Sequence, residues 1–396
     1  MISVAEAESI ILGNLFKPKI TSVEISRAAG RVLAETIMAD RDLPPFNRVA
    51  MDGIAIDIKA FNEGQRTFVL EGVQAAGMPE KKLDQPHNAI EVMTGAVMPQ
   101  GTNAVVQYET IEIKNGIATI LVNSLEANQN IHSQGADEKR GSQILEPGIK
   151  ISPAEVALFA ATGKSNVNVY ELPKTAIIST GDELVGVDEQ PQPWQIRRSN
   201  SFALQAAFHQ MKHPSDQFHI SDNEEILARE LKKIFDDYEL IILSGGVSKG
   251  KFDFIPKTLE QLGVKKLFHQ ISQKPGKPMW FGRSRSHTVF ALPGNPVSTY
   301  MCFYRYLKPW LEKSMGATPK KEYAILASDF QFVPALTYFL QVKTENENGK
   351  LMAYPNAGGG SGDFANLKAV DGFLELPLNK SEFKAGEVFP YHSFRS

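Results

Sequence analysis

The 396-residue sequence predicts a multidomain protein of the α/β plus β class. Three observations carry that prediction. Between about residues 171 and 312, apolar runs ending in glycine-rich loops alternate with helical stretches, the pattern of parallel strands buried on both faces. On either side lie two strand-rich regions, each with an Asn-Gly pair between short apolar runs, a strong hairpin signal. The length also exceeds what one hydrophobic core serves, at roughly 100 to 200 residues per domain.

The first element, residues 3 to about 15, reads as an amphipathic helix, with apolar positions at helical spacing. A second helix is expected around 21 to 32, where Ser22 and Glu24 suit a capped start. From about 66 to 123 the texture turns strand-like: RTFVLEGV, AIEVM, NAVVQYE, then ETIEIK and IATILV joined by Asn115-Gly116. The central region gives KTAIIST running into GDEL, YELIILS into GGVSKG and HTVFAL into PGNPVS. Its helices are SFALQAAFHQM, NEEILARELKKIF and VSTYMCFYRYLKPWLEK. In open α/β sheets ligands sit beyond the carboxyl ends of the strands, which is where these loops fall. After about residue 318, EYAILAS, TYFLQVK, KLMAYP and GFLELP, with a hairpin signal at Asn348-Gly349, predict a small barrel or sandwich.

The totals argue against several function classes. A formal net charge of -3 speaks against generic attraction to nucleic acid or an anionic membrane, so any anion site must be local. Cys302 is the only cysteine, so neither an intrachain disulfide nor a Cys-rich zinc site can form, which suits a reducing cytoplasm. The opening MISVAEAESIILGNLF carries acids where a signal peptide would carry basic residues, and no 18-residue apolar run occurs. There is no HExxH, no GxSxG elbow and no Walker sequence. The histidines read as structural or surface residues, and Cys302, inside YMCFYRY, is expected to be buried and inert.

The chemistry-bearing signal begins at ISQKPGKPMWFG, residues 271 to 282, where Lys274 and Lys277 stand between prolines and a glycine. Between Gly263 and His287 there are six Lys or Arg and no Asp or Glu. A solvated basic face is one explanation, but a Pro-Gly turn does not need lysines, and the stiffened spacing suits an anion clamp. In SGGVSKG, Gly245 and Gly246 make either a tight turn or a nest of backbone N–H groups for an anion. In LPGNPVS, Ser298 falls at a helix start, which favours anions, though an ordinary proline-led start reads the same way. Opposite these stand Asp182 and Glu183, Asp222 and Asp253. Singly, Asp222 and Asp253 are helix caps, Ser221 and Glu224 having capping-box spacing. Together, carboxylates and lysines at one sheet edge are what a Mg2+-bound phosphate ester requires.

Six ordered stretches, PPFNRVAMDGIA, MTGAVMPQG, STGDEL, SGGVSKGKFD, KPGKP and LPGNPVS, resemble the MoeA family of molybdopterin molybdenumtransferases, to which the E domain of gephyrin is related. The same α/β module occurs in molybdopterin adenylyltransferases and competence-damage proteins, which lack the AMDG and MTGA segments. The resemblance implies a MogA-like open α/β domain over 171–318 and a β-rich inserted domain over 43–140. It further implies an elongated N-terminal linking region (1–42 and 141–170) and a C-terminal β-barrel over 319–396. The implied reaction inserts molybdate into adenylylated molybdopterin and releases AMP with Mg2+, giving molybdenum cofactor. The implied assembly is a cytoplasmic homodimer whose active site is shared between subunits. Its implied partners are a molybdopterin adenylyltransferase and molybdoenzyme apoproteins, with neither nucleic acid nor membrane.

Carried over by position, Asp52 and Asp137 resemble the acids of the inserted domain, with Thr94 beside them. Glu183, Asp222 and Asp253 resemble the catalytic and metal-binding acids of the α/β domain. Lys274, Lys277 and Ser298 resemble oxyanion ligands, and Ser361 in GGGSGD a serine that approaches the same cleft. Asn200, Gly245, Gly246, Ser248, Pro293 and Pro296 complete the implied ligand-binding set. This agrees with the physics, since cleaving a phosphoanhydride calls for charge neutralisation and positioning, and lysine suits a compact oxyanion. Departures from the family pattern are Ile54, Ala136, Arg197, Arg198, Leu336 and Gln341. The last two remove an oxyanion contact for which Arg197 or Arg198 would substitute. The leading reading is an active transferase; the alternatives are a non-catalytic molybdopterin-binding or scaffold paralogue and a nucleotide-pyrophosphate hydrolase.

Overall fold

The computed structural model describes residues 1–246 and 254–395. The chain forms two compact units, one of Met1–Ala34, Pro147–Ser152 and Asn168–Ser396, the other of Glu35–Glu146 and Pro153–Val167. Helix α1, Val4–Leu12, opens on a capping box: Ser3 Oγ accepts from the Glu6 N–H at 3.2 Å, and the Glu6 carboxylate accepts from the Ser3 N–H at 2.7 Å. The helix expected around 21 to 32 does not form. Ile20–Glu24 is a strand of alternating exposure and Ile25–Arg27 a single 3-10 turn. Ile20, Thr21 and Val23 are β-branched and lose side-chain freedom in a helix, and so short a segment cannot offset the cost of nucleating one.

The second unit holds strands β1 (Gly53–Ile56), β2 (Thr67–Gln74), β3 (Ala89–Val92), β4 (Ala104–Gln107), β5 (Ile111–Lys114) and β6 (Ile117–Ile120). Among the described residues they make one sheet in the order β4-β1-β3-β2-β6-β5. Ile54, Ile56 and Val106 enter a core on one face, Ala55, Ile90, Val92 and Val105 a core on the other. Asn115 and Gly116 have φ of 50° and 76°, the left-handed pair that a tight hairpin needs. Helix α2, Pro153–Ala161, was not foreseen in the sequence.

In the first unit the chain continues through β7 (Thr175–Thr180), α3 (Asn200–Gln210), β8 (Ser215–Ile220), α4 (Glu224–Asp237) and β9 (Leu240–Ser244). Then follow α5 (Ile255–Gln261), β10 (Lys265–His269), β11 (Gln273–Lys274), β12 (Trp280–Arg283), β13 (Thr288–Leu292) and α6 (Pro296–Cys302). The sheet order is β8-β7-β9-β13-β12-β10 among the described residues. Strands β8, β7, β9 and β13 are parallel, as the apolar runs predict, while β12 runs antiparallel to both its neighbours and adds a mixed edge. Ile177, Ile242 and Phe290 pack with α3 and α6, and Ile178, Ile241, Leu243 and Val289 with α4 and α5. Burial of both faces is why these strands read as continuous apolar runs. Register is level at the carboxyl edge: Thr180 pairs with Ile220, and Ser244 with Leu292.

The long helix after β13 is not uniform. After α6 comes a π turn, Phe303–Leu307, and then α7, Lys308–Ser314. Pro309 has no N–H to give the carbonyl four residues back, and a wider turn accommodates the missing bond. Strands β14 (Glu322–Leu326), β15 (Thr337–Glu347), β16 (Lys350–Pro355), β17 (Gly372–Leu376) and β18 (Val388–Ser393) follow in the order β15-β16-β14-β18-β17, and β17 pairs back onto β15. That closure makes the C-terminal region a five-stranded barrel, deciding against the sandwich; Asn348 and Gly349 turn its hairpin at φ 51° and 82°. Among the described residues, no helix is long and apolar enough to cross a membrane.

Candidate functional site

The carboxyl ends of the parallel strands open into a cleft of about 590 Å³ in the first unit. Thr180, Gly181 and Glu183 come from the end of β7, Asp222 from β8, Gly245 and Gly246 from β9, and Pro293, Gly294, Asn295 and Ser298 from β13 and α6. The KPGKP loop supplies Lys274 and Lys277, and the C-terminal region contributes Leu336 and Ser361. A parallel sheet delivers all its strand ends to one edge, so residues more than a hundred positions apart meet there.

The two lysines stand on a braced loop. Gln273, fully buried, donates from Nε2 to the Gly276 carbonyl at 3.0 Å, and its Oε1 accepts from the Tyr306 hydroxyl. The Ile271 N–H donates to the Lys277 carbonyl at 3.0 Å, and the Gln270 N–H to the Met279 carbonyl at 2.9 Å. Strand β11 pairs in parallel with β15, which ties the loop to the barrel. Gly276 has φ 87°, and a Cβ there would lie 2.8 Å from Cys302 Sγ. Lys274 and Lys277 are exposed, and neither forms an ion pair among the described residues. Both lysines line the cleft, and Lys274 Nζ lies 5.7 Å from the centroid of the Phe332 ring.

On the acidic side, the Glu183 carboxylate lies against Gly181, filling the space a Cβ would take. The Asp222 N–H donates to Asp182 Oδ1 at 3.2 Å. The cap of α4 is Asn223, whose Oδ1 accepts from the N–H groups of Glu225 at 3.1 Å and Ile226 at 3.0 Å. The expected Ser221 capping box is therefore corrected by two residues, to Asn223, and Asp222 precedes the cap. Asp253 and Ser248 lie outside the described residues. Among the described residues no group of three or more His, Cys, Asp or Glu comes together for a metal.

Ser298 is buried in the first turn of α6, and Ser361 accepts from Asn295 Nδ2 at 2.8 Å and, through its carbonyl, from the Val297 N–H at 3.2 Å. Asn200 uses its amide to donate to Ser244 Oγ (2.9 Å), the Gly294 carbonyl (2.7 Å) and Thr299 Oγ1 (3.3 Å), clasping two loop ends of the cleft from behind. Asn200 and Pro296 line a neighbouring cavity of about 580 Å³. The N–H of Gly245 donates to the Leu292 carbonyl at 3.2 Å. Leu336 reaches the cleft, whereas Gln341 is buried and donates to the Ala357 carbonyl at 3.1 Å. Arg197 Nε donates to the Glu189 carbonyl at 3.2 Å, and neither Arg197 nor Arg198 lines the cleft.

Asp52, Thr94 and Asp137 belong to the second unit. Asp52 Oδ1 accepts from both the Oγ1 and the N–H of Thr94 at 2.6 Å, and those bonds hold its carboxyl below the usual range, the hydroxyl bond contributing most. Gly53 beside it has no room for a Cβ, which would fall on the Val106 carbonyl, so the AMDG glycine is required by strand contact. Asp137 Oδ1 bonds His132 Nε2 at 2.9 Å, and His132 Nδ1 meets Arg48 at 2.9 Å. Cys302 is fully buried, which pushes its thiol up, in keeping with an inert residue.

Thr180, Gln273 and Asn295 escaped the sequence reading. Gln273 immediately precedes KPGKP, but a lone glutamine gives no signal that it will be buried. Residues 2–163 match "MoeA N-terminal region (domain I and II)", 176–313 match "Probable molybdopterin binding domain", and 323–394 match "MoeA C-terminal region (domain IV)". The chain is 40% identical to a molybdopterin molybdenumtransferase of Synechocystis sp., with 100% of each chain covered. It is 31% identical to one of Bacillus subtilis, over 92% of this chain and 88% of that one. The fold is similar to the crystal structure of the molybdopterin biosynthesis moeA protein from Pyrococcus horikoshii OT3, with a TM-score of 0.85, 28% identity and 100% of both chains covered.

Proposed function

The chain belongs to the MoeA family, and we propose that its α/β cleft is where molybdate meets the pterin. The protein works in molybdenum cofactor biosynthesis, inserting molybdate into molybdopterin. The observation that carries the assignment to this cleft is the convergence of Lys274 and Lys277 with Glu183 and Asp222 at one sheet edge. The lysines neutralise and position the oxyanion, and their braced loop means little ordering is left for the moment of binding. The pterin substrate is adenylylated, and AMP leaves as molybdenum cofactor forms.

Glu183 and Asp222 are hard oxygen donors of the kind Mg2+ takes together with water and substrate phosphate. They would hold the ion, which when bound supplies positive charge against phosphoanhydride oxygens. We further propose that the chain is a cytoplasmic homodimer with an elongated N-terminal linking region, in which the acids Asp52 and Asp137 serve the cleft of a second copy. A molybdopterin adenylyltransferase would deliver its substrate, and molybdoenzyme apoproteins would receive its product.

The test is turnover. Purified chain given adenylylated molybdopterin, Mg2+ and molybdate is expected to yield molybdenum cofactor and AMP; neither product, beside an active relative, would sink the reading. Light scattering of the same sample gives the oligomeric state, and a monomer that turns over would remove the shared-site proposal.

A further inference from the structure

Thr180 ends β7 and lines the cleft, yet it is only 6% exposed. Its Oγ1 is sealed from solvent and has no hydrogen-bond partner, alone in that respect among the described lining residues. Three other hydroxyls near this edge are engaged. Ser179 Oγ donates to the Phe218 carbonyl at 3.2 Å, Ser244 Oγ accepts from Asn200 at 2.9 Å, and Thr299 Oγ1 donates to the Pro293 carbonyl at 2.5 Å. Buried polar groups are nearly always paired, and one that is not calls for a reason.

The surroundings supply one. Gly245 and Gly246, at φ 101° and 64°, cover the hydroxyl, and a Cβ on them would stand 3.4 Å and 3.0 Å from Oγ1. Valine has the shape of threonine without the unpartnered polar atom, so packing alone does not call for the hydroxyl. Across the same cleft stand Lys274 and Lys277, unneutralised among the described residues. A hydroxyl without a protein acceptor, at the carboxyl edge of parallel strands in a cleft that two cations also line, has an anionic oxygen as its natural acceptor once it turns toward the cleft.

We propose that Thr180 is an oxyanion-binding residue: by rotation about χ1 it turns its hydroxyl from under the glycine pair into the cleft, where it donates to an oxygen of phosphate or molybdate. A 120° step about χ1 moves the methyl into the hydroxyl's place beneath the glycines and the hydroxyl into the place of the Cβ hydrogen. This deepens the functional reading above and rests on it for the identity of the two oxyanions.

The experiment measures binding of inorganic phosphate and of molybdate to the full chain, with Thr180→Val and Thr180→Ser beside the wild type. Thr180→Val is expected to lose about 10-fold or more in affinity for at least one oxyanion, the size of a hydrogen bond to a charged group. Thr180→Ser should bind as the wild type does, and Thr180→Val should melt no lower, since it removes an unpartnered polar atom. Loss for phosphate alone assigns the hydroxyl to a phosphoryl group, and loss for molybdate alone to the metal oxyanion. Unchanged binding of both by Thr180→Val, binding of neither by the wild type, or failure of Thr180→Ser to restore affinity overturns the proposal. A wild type that binds through Thr180 yet forms no molybdenum cofactor refutes the functional reading and leaves this inference standing.

Discussion

Asp222 and Asn223 sit side by side before α4 and do different things. Asn223 caps the helix, so Asn223→Ala should lower stability by about 1 kcal/mol, read from chemical denaturation. Asp222 lies ahead of the cap and lines the cleft, so Asp222→Asn should leave the denaturation midpoint in place while turnover collapses. A shifted midpoint with normal turnover would return Asp222 to a structural role. The sequence made both residues legible as a helix start, but capping depends on which side chain has the right backbone angles. Asn223, extended at φ -101° and ψ 125°, has them, and that choice is made by how β8 hands the chain to α4.

At the level of the element, the KPGKP loop shows how local stiffness needs nonlocal support. The prolines and glycine were visible as a stiff turn, whereas the Tyr306 hydroxyl and the pairing with β15 were not, because both come from far along the chain, and nothing local marks the adjacent Gln273 as buried. Gly276→Ala should therefore cost roughly 1–3 kcal/mol and lower the melting temperature, since its Cβ would press on Cys302, Gln273 and Met301 while adopting a disfavoured φ. Gly386→Ala is the control. It has a similar φ of 91° but open space for a Cβ, so its smaller loss measures the backbone part alone. Equal losses at the two sites would mean that the loop yields and is not braced. The same contrast explains Ile20–Glu24: its residues suit a helix start by spacing, but β-branching and an available neighbour decided for a strand.

For the whole molecule, buried groups remote from the cleft contribute to acid stability. His213, 2% exposed, has its pKa lowered to about 4, chiefly by burial and further by Arg31, against a weaker opposing bond to the Pro173 carbonyl. Its Nδ1 has no partner, so a second ring proton would have no acceptor. Burial likewise lowers His392. Glu375 is also lowered, although burial, its largest single influence, opposes this: the bond to His392 and the Arg305 charge outweigh it. Each group binds more protons unfolded than folded, so the stability that His213 contributes is present above about pH 6.5 and is lost as pH falls toward 4, and His392 and Glu375 act in the same direction. Melting temperature should fall over that window, and His213→Gln, which can still donate to Pro173, should flatten the fall. A profile unchanged by that substitution would remove His213 from the account.

What the sequence determined by itself was whatever local chemistry dictates. The parallel strands follow from apolar runs long enough to be buried on both faces, the two hairpins from Asn-Gly pairs, the lysine loop from its prolines and glycine, and the family from six ordered motifs. Tertiary structure alone decided the closure of the barrel, the antiparallel strand β12 next to the sheet edge, the π turn's place in the core and the choice of Asn223 as cap. It also decided that Glu183, Asp222, Lys274, Ser298 and Ser361 share one cleft while Thr180 is left without a partner. The reason is physical. Propensity and turn chemistry act over a few residues, whereas burial and hydrogen-bond pairing depend on which distant segment arrives at the same sheet edge.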